Sequence, residues 1–125
     1  MGRPSIYTEE RAALLCEHLV EGLSLRQACR LEGMPSRDTV RRWLRDKPEF
    51  RDRYALACQF RADALADEMI EIADDSSNDW LMGPKGPICN TENIRRAELQ
   101  IDIRKWLIVR LAPKKYGISK NWKER

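Results

Sequence analysis

Histidine, aromatic residues and paired cysteines are scarce in this sequence, and each scarcity excludes a class of protein. The 125 residues include one histidine and 7% aromatic residues, and no two of the four cysteines form a Cys-x-x-Cys pair. A zinc site needs four well-spaced ligands, so we expect no bound metal. No signal peptide or long apolar run is present, which predicts a soluble cytosolic protein that contacts no membrane. All four cysteines are expected to be buried thiols.

Motifs typical of catalysis are also missing. The Gly-Pro-Lys-Gly-Pro segment at residues 83–87 is not a phosphate-binding loop, because it lacks the Lys-Ser/Thr ending and its prolines remove backbone donors. Asp74, Asp75 and Asp79 are interpreted as a solvated helix end rather than as a metal site. We therefore predict that the protein is not an enzyme and needs no cofactor.

Charge is distributed unevenly, although the net charge of the whole chain is only +3. Residues 1–53 have a net charge of +2, residues 54–92 of −6, and residues 93–125 of +7. A basic–acidic–basic chain is suited to binding an anionic partner, and its acidic middle can pair with a basic segment of the same subunit or of a neighbour.

Turn and capping signals predict three helices in residues 1–47. The first spans residues 8–22 and follows an arm at residues 1–7. Ser24 and Gln27 form a capping box, which begins a second helix. The third helix spans residues 36–46. A short helix, a sharp turn and a second helix with a buried stripe and a basic outer face are the requirements of a DNA-binding helix-turn-helix.

The third helix meets the requirement for two opposite faces. Val40, Trp43 and Leu44 are spaced to share one buried face, while several arginines point the other way. The residues nearest the helix start are best placed for base edges, and the later arginines for phosphates. A Gly-Arg-Pro tripeptide near the N-terminus is suited to a narrow minor groove. The candidate DNA-binding residues are Arg3, Arg26, Arg37, Asp38, Arg41, Arg42 and Arg45.

The rest of the chain predicts a helical hairpin. Residues 48–74 contain no glycine and no proline after Pro48, and they form one long helix with two apolar stripes. The second stripe, rich in alanine, indicates a helix neighbour in another subunit, and it consists of Ala55, Ala62, Ala66, Ile70 and Ala73. Residues 76–92 are predicted to be a connecting loop. A last helix, capped by Thr91 or Asn93, runs to about residue 111. We expect an all-α fold in which a helix-turn-helix domain (residues 1–47) precedes an antiparallel, oligomerising hairpin (residues 48–112) and a loosely ordered basic tail (residues 113–125).

An ordered series of motifs resembles the small terminase subunits of tailed double-stranded DNA bacteriophages. These motifs are Gly-Met-Pro-Ser-Arg-Asp-Thr-Val-Arg-Arg-Trp-Leu at 33–44, Phe-Arg-Asp-Arg-Tyr-Ala at 50–55, Arg-Ala-Asp at 61–63, Glu-Ile-Ala-Asp at 71–74, Asp-Ile-Arg-Lys-Trp-Leu at 102–107 and Leu-Ala-Pro-Lys-Lys-Tyr-Gly at 111–117. The resemblance implies a homo-oligomeric, octamer-like ring in the host cytoplasm. Such a ring binds the packaging start site of viral DNA and delivers it to the large subunit, which holds the ATPase and nuclease.

Two other functions are compatible with the same residues. A helix-turn-helix transcription regulator of phage or bacterial origin would bind a palindromic operator as a dimer. A helical scaffold would instead use the arginine face to dock an acidic protein.

The sequence departs from the family pattern at one place. Similar small subunits continue past the Tyr-Gly motif into a β segment that meets the large subunit, whereas only residues 118–125 follow it here.

Overall fold

The computed structural model describes residues 6–117, which form six helices and one β-hairpin. The elements are α1 (Glu9–Val20), α2 (Leu25–Cys29), α3 (Arg37–Asp46), α4 (Pro48–Asp74), β1 (Trp80–Gly83), β2 (Gly86–Cys89), α5 (Thr91–Leu111) and α6 (Pro113–Tyr116). The chain divides into two compact units, one ending at Arg61 and one beginning at Ala62. The predicted, mainly helical fold class is confirmed, and the domain limits given above stay a prediction.

Local capping sets the ends of α2 and α3 in the first unit. The predicted capping box is confirmed, because the Gln27 amide donates to Ser24 Oγ at 3.1 Å and the Ser24 amide donates to Gln27 Oε1 at 2.9 Å. Ser36 Oγ accepts from the Thr39 amide at 3.2 Å and begins α3. Between the two helices Gly33 has a φ of +83°, which only glycine adopts without strain. The turn and the direction of α3 therefore follow from short-range sequence signals.

The core of the first unit is built around aromatic rings that meet edge to face. Val40 is fully buried and Trp43 is 4% exposed, whereas Leu44 is half-buried. The Trp43 ring lies 5.4 Å from that of Phe50, which is fully buried at the start of α4. Such edge-to-face pairs are favourable beyond the area they bury. The predicted inner stripe of α3 thus anchors this helix to α4.

Tyr7 extends this aromatic cluster and corrects the prediction of an arm at residues 1–7. Its ring lies 5.1 Å from the ring of Trp43, and Lys47 Nζ lies 4.8 Å above it. Burial raises the pKa of the Tyr7 hydroxyl, which has no hydrogen-bond partner among the described residues. Tyr7 therefore belongs to the core, because its partner Trp43 is brought to it by the tertiary fold.

The second unit contains an antiparallel helix pair. Ala62 on α4 packs with Ile108 and Ala112 at the end of α5, whereas farther along α4, Glu68 Oε2 accepts from Arg104 Nε at 2.9 Å. Residues farther along α4 contact earlier residues of α5, so the two helices run in opposite directions. The expected pairing between the acidic middle of the chain and its basic C-terminal part is present in this ion pair.

A β-hairpin stands where a loop was predicted at residues 76–92. Strand β1 pairs antiparallel with β2, and Gly83 pairs with Gly86 beside the two-residue turn. Gly86 has a φ of +120°, and a Cβ on Gly83 would lie 3.0 Å from the Gly86 carbonyl oxygen. The Gly-Pro signals therefore mark the turn, but the four-residue strands on either side were not recognised.

The ends of α5 also differ from the prediction. Asn90, rather than Thr91 or Asn93, is the N-cap, and its side chain accepts from the Asn93 amide at 3.3 Å. Asn90 Nδ2 also donates to the Asn78 carbonyl at 2.9 Å, which ties the base of the hairpin to the helix start. Pro113 ends α5 as predicted, but it begins α6, so the first residues of the expected loose tail are helical.

Two further expectations about burial are wrong. Ala62, placed on a stripe for a helix of another subunit, is fully buried inside its own unit. Ile70 of the same stripe is 62% exposed, so the expected helix neighbour in another subunit stays a prediction for that residue. Cys16, Cys29 and Cys58 are buried as expected, whereas Cys89 is exposed at the end of β2. In each case the side-chain environment is set by contacts distant in sequence.

Candidate nucleic-acid interface

The outer face of α3 is charged and open to solvent. Its buried residues are Thr39, Val40 and Trp43, which leaves the other side of the ten-residue helix exposed. The side chains of Arg41 and Arg45 are 69% and 70% exposed. The remaining exposed candidates of this helix are Arg37, Asp38 and Arg42. The structure thus places all five predicted α3 residues on one accessible surface.

An open cleft lies between α2 and α3 in the first unit. Its volume is about 520 Å³. Its charged lining residues are exposed, and four of the five are arginines. Arginine in a polar, open cleft of this kind suits an anionic partner, since each guanidinium presents several donors in a plane. The lining residues are Arg26, Cys29, Arg30, Ser36, Arg37, Asp38 and Arg41.

Intrahelical contacts hold several of these side chains. Arg41 Nη1 lies 3.6 Å from Asp38 Oδ1. Arg45 donates to both carboxylate oxygens of Asp46, at 2.9 and 3.3 Å. These hydrogen bonds lower the pKa of Asp46 and raise that of Arg45, so both groups remain charged near neutral pH. Because both pairs are exposed and weak, an external anion can replace the carboxylates.

Three solved structures are similar to the chain over most of its length. All are crystal structures of single-substitution variants of the terminase small subunit gp1 of the bacterial virus Sf6. The aspartate-to-arginine variant matches with a TM-score of 0.67 and 39% identity, over 93% of this chain and 85% of that one. The lysine-to-glutamate and arginine-to-alanine variants both have TM-scores of 0.65, with 39% and 38% identity, over 93% of this chain and 81% of theirs. No curated protein matches the chain.

The family model described as "Bacteriophage Sf6, terminase small subunit-like" matches residues 7–122. The chain belongs to this family. The resemblance inferred from the ordered motifs is therefore confirmed, and the protein is a terminase small subunit of bacteriophage type.

One charged residue of this small subunit was missed by the sequence reasoning. Arg30 lines the same cleft as Arg26, and both are exposed. Their spacing of four residues, which puts two side chains on one helical face, was an available signal. Arg42 and Arg45 lie outside the cleft lining, and Arg42 Nη2 donates to Thr39 Oγ1 at 3.2 Å. Arg3 lies outside the described residues.

The described residues also bear on membrane-spanning and metal-binding sites. Between residues 6 and 117, no helix combines the length and the apolar composition needed to cross a bilayer. The same residues bring together no group of three His, Cys, Asp or Glu side chains that could hold a metal ion.

Proposed function

We propose that this terminase small subunit binds double-stranded viral DNA through the exposed face of α3 and the adjacent arginines of α2. The observation that supports the proposal is the division of α3 into a buried stripe and an accessible face with four arginines. A ten-residue helix is about 15 Å long and fits the major groove of B-form DNA, which is about 12 Å wide.

Residues along α3 take different roles in this proposal. Arg37, Asp38 and Arg41 occupy the first turns and the cleft, so they contact base edges. Arginine donates to guanine, and aspartate accepts from the amino group of cytosine. Arg42 and Arg45 lie later in the helix and contact phosphates, which fixes the register of the protein on the duplex. Arg26 and Arg30 add phosphate contacts from α2, and Arg3 reaches the minor groove.

The proposal extends to the assembly and its partner. The subunit forms a closed homo-oligomeric ring, octamer-like, in the host cytoplasm. It recognises the packaging start site and delivers this DNA to the large terminase subunit. The ring is a non-catalytic adaptor, because the ATPase and nuclease belong to the large subunit. Many weak DNA-binding units on one DNA molecule raise the overall affinity without any new contact.

The interface is tested with two double variants that remove equal charge. Arg41→Ala/Arg45→Ala alters α3, whereas Arg95→Ala/Arg96→Ala removes two exposed arginines from α5. Binding of a duplex from the packaging region is measured by gel retardation at fixed salt. We expect the α3 variant to bind at least tenfold more weakly, because each lost contact is worth about 1–3 kcal/mol. Equal binding by the two variants would contradict a role for the α3 arginines in contacting DNA.

A measurement of native mass separates the ring from its rivals. Light scattering of the full chain should give a multiple of 14.6 kDa well above a dimer. A dimer would favour a transcription regulator, which matches the two-fold symmetry of an operator. Failure to retain any DNA at low salt would favour a scaffold that docks an acidic protein. Nucleotide hydrolysis by the pure chain would contradict the adaptor role.

A further inference from the structure

The β-hairpin exposes large apolar side chains on both of its faces. Trp80 is 63%, Met82 83%, Leu81 51% and Ile88 53% exposed. Leu81 pairs with Ile88 on one face, and alternation puts Trp80 and Met82 on the other. An isolated two-stranded hairpin is marginal in water, and a cluster of exposed apolar side chains indicates an interaction surface. Among residues 6–117, neither face of this hairpin is covered within its own subunit.

A second uncovered apolar surface lies on α5 in the same unit. Leu99, Ile103, Trp106 and Val109 are 52%, 49%, 56% and 42% exposed. Their spacing of four, three and three residues places them on one side of the helix, and we call this stripe the α5 face. Arg104 and Ile108, which contact α4, lie on the other side of α5.

We propose that the hairpin of one subunit packs against the α5 face of the next subunit. The inference rests on the homo-oligomer of the proposed function and identifies the surfaces that form it. Both surfaces are exposed within one chain, so they do not cover each other there. Because the two surfaces differ, their contact is head to tail, and repetition of such a contact closes into a ring when the rotation permits.

The two surfaces match in length. Each four-residue strand is about 14 Å long, and Leu99 to Val109 spans about 15 Å of helix. The hairpin face with Trp80 and Met82 offers two large apolar side chains and the α5 face offers four, so six side chains of on the order of 100 Å² each supply about 600 Å² of apolar area. Since slightly more than half of an interface is apolar, the whole contact approaches about 1,000 Å², the lower limit for a specific interface.

Charge indicates the direction of the hairpin on its neighbour. Lys85 is at the exposed turn of the hairpin, and Glu98 and Asp102 are exposed beside the first half of the α5 face. Charge complementarity fixes register at interfaces. The turn therefore lies near Leu99, and the base of the hairpin, where Cys89 is exposed, lies near Val109.

Disulfide trapping tests this arrangement directly in the full chain. Cys89 is the only exposed cysteine of the four, so it provides one native partner. Val109→Cys supplies the other, and Leu99→Cys is the matched control at the far end of the face. Under mild oxidation we expect Val109→Cys to give a ladder of linked subunits up to the complete ring, at least tenfold more than Leu99→Cys. The ladder should vanish when Cys89→Ser is added.

An equally strong ladder without Cys89, or none from either α5 cysteine, would overturn the proposal. A second measurement compares Met82→Asp with Leu14→Asp, an exposed leucine of α1 that is 42% exposed. Light scattering should show the mass of a single chain for Met82→Asp and the wild-type mass for Leu14→Asp, with equal helix content by circular dichroism. Retention of the wild-type mass by Met82→Asp would also overturn it.

These results are distinguishable from failure of the DNA-binding proposal. The separated Met82→Asp subunits should still bind DNA weakly at low salt, and this binding should be lost when Arg41→Ala is added. A ring that withstands every hairpin variant would refute the packing but leave α3 as the DNA contact. A ring that forms through the hairpin yet binds no DNA would refute only the function proposed for α3.

Discussion

Replacement of Phe50 by leucine tests whether the aromatic cluster holds the DNA-binding unit together. Phe50 is fully buried, with ring centroids at 5.4 Å to Trp43, 5.8 Å to Tyr54 and 6.1 Å to Tyr7. Each aromatic pair contributes about 0.5–1.5 kcal/mol beyond the area it buries. Leucine keeps most of the apolar volume but loses all three pairs, so we expect a loss of about 2–3 kcal/mol.

This loss is large for a unit of this size. At about 0.05–0.15 kcal/mol per residue, the unit ending at Arg61 has a free energy of unfolding of about 3–9 kcal/mol. For small domains 1 kcal/mol shifts the melting temperature by about 4–8 °C, so Phe50→Leu should lower it by about 8–24 °C. DNA binding at low temperature should persist, because the exposed face of α3 is unchanged.

The matched control is Phe60→Leu, which makes the same chemical change on the same helix at a side chain that is 50% exposed. Its effect should be below about 0.5 kcal/mol. Thermal unfolding is followed by near-ultraviolet circular dichroism, which reports on packed aromatic rings. Equal melting temperatures for the two variants would refute the role given to the aromatic cluster.

Three smaller predictions concern caps and the α6 contact. Ser24→Ala removes the capping box and should cost about 1 kcal/mol in chemical unfolding; no change would contradict the cap. Gly117→Ala places a Cβ against the Pro113 carbonyl and should destabilise the end of α6, measured as faster amide exchange there. Hydrogen bonds, chiefly from the Tyr116 hydroxyl, lower the pKa of Asp63. The Asp63 carboxylate therefore stabilises the fold fully above its unfolded pKa of about 3.9. This stabilisation is lost as pH falls towards the pKa of the folded state. Asp63→Asn should therefore melt below wild type at pH 7, and this difference should shrink as pH falls below the unfolded pKa; a difference that stays the same in acid would contradict this contact.

The helix-turn-helix could be predicted because its determinants are local. The Ser24 capping box, Gly33 and the stripe of Val40 and Trp43 each act within a few residues, and the structure reproduces them. Tyr7 could not be placed in the core, because its contact with Trp43 depends on how distant segments pack. Local chemistry thus determined the helix ends and faces, while the aromatic cluster depends on tertiary structure.

The second unit shows the same division between local and distant determinants. The length of α4 and the stop at Pro113 follow from glycine and proline placement. The hairpin strands have four residues each, too few to show a clear alternation. The Arg-Ala-Asp and Lys-Lys-Tyr-Gly motifs were recognised only as family features. The structure supplies their physical reason, since Lys115 Nζ and the Tyr116 hydroxyl both donate to Asp63 Oδ1, at 2.9 and 2.5 Å.

Cleavage from a tethered iron chelate shows whether α3 lies against DNA. The chelate is attached to Asp38→Cys on α3 or to Glu71→Cys on α4, both in a Cys89→Ser background. The two variants each remove one exposed acid, and the remaining cysteines are buried. We expect a chelate at position 38 to cut bound viral DNA within a few base pairs of the recognised site, and one at position 71 not to cut it. Cutting from position 71 without cutting from position 38 would contradict this placement of α3.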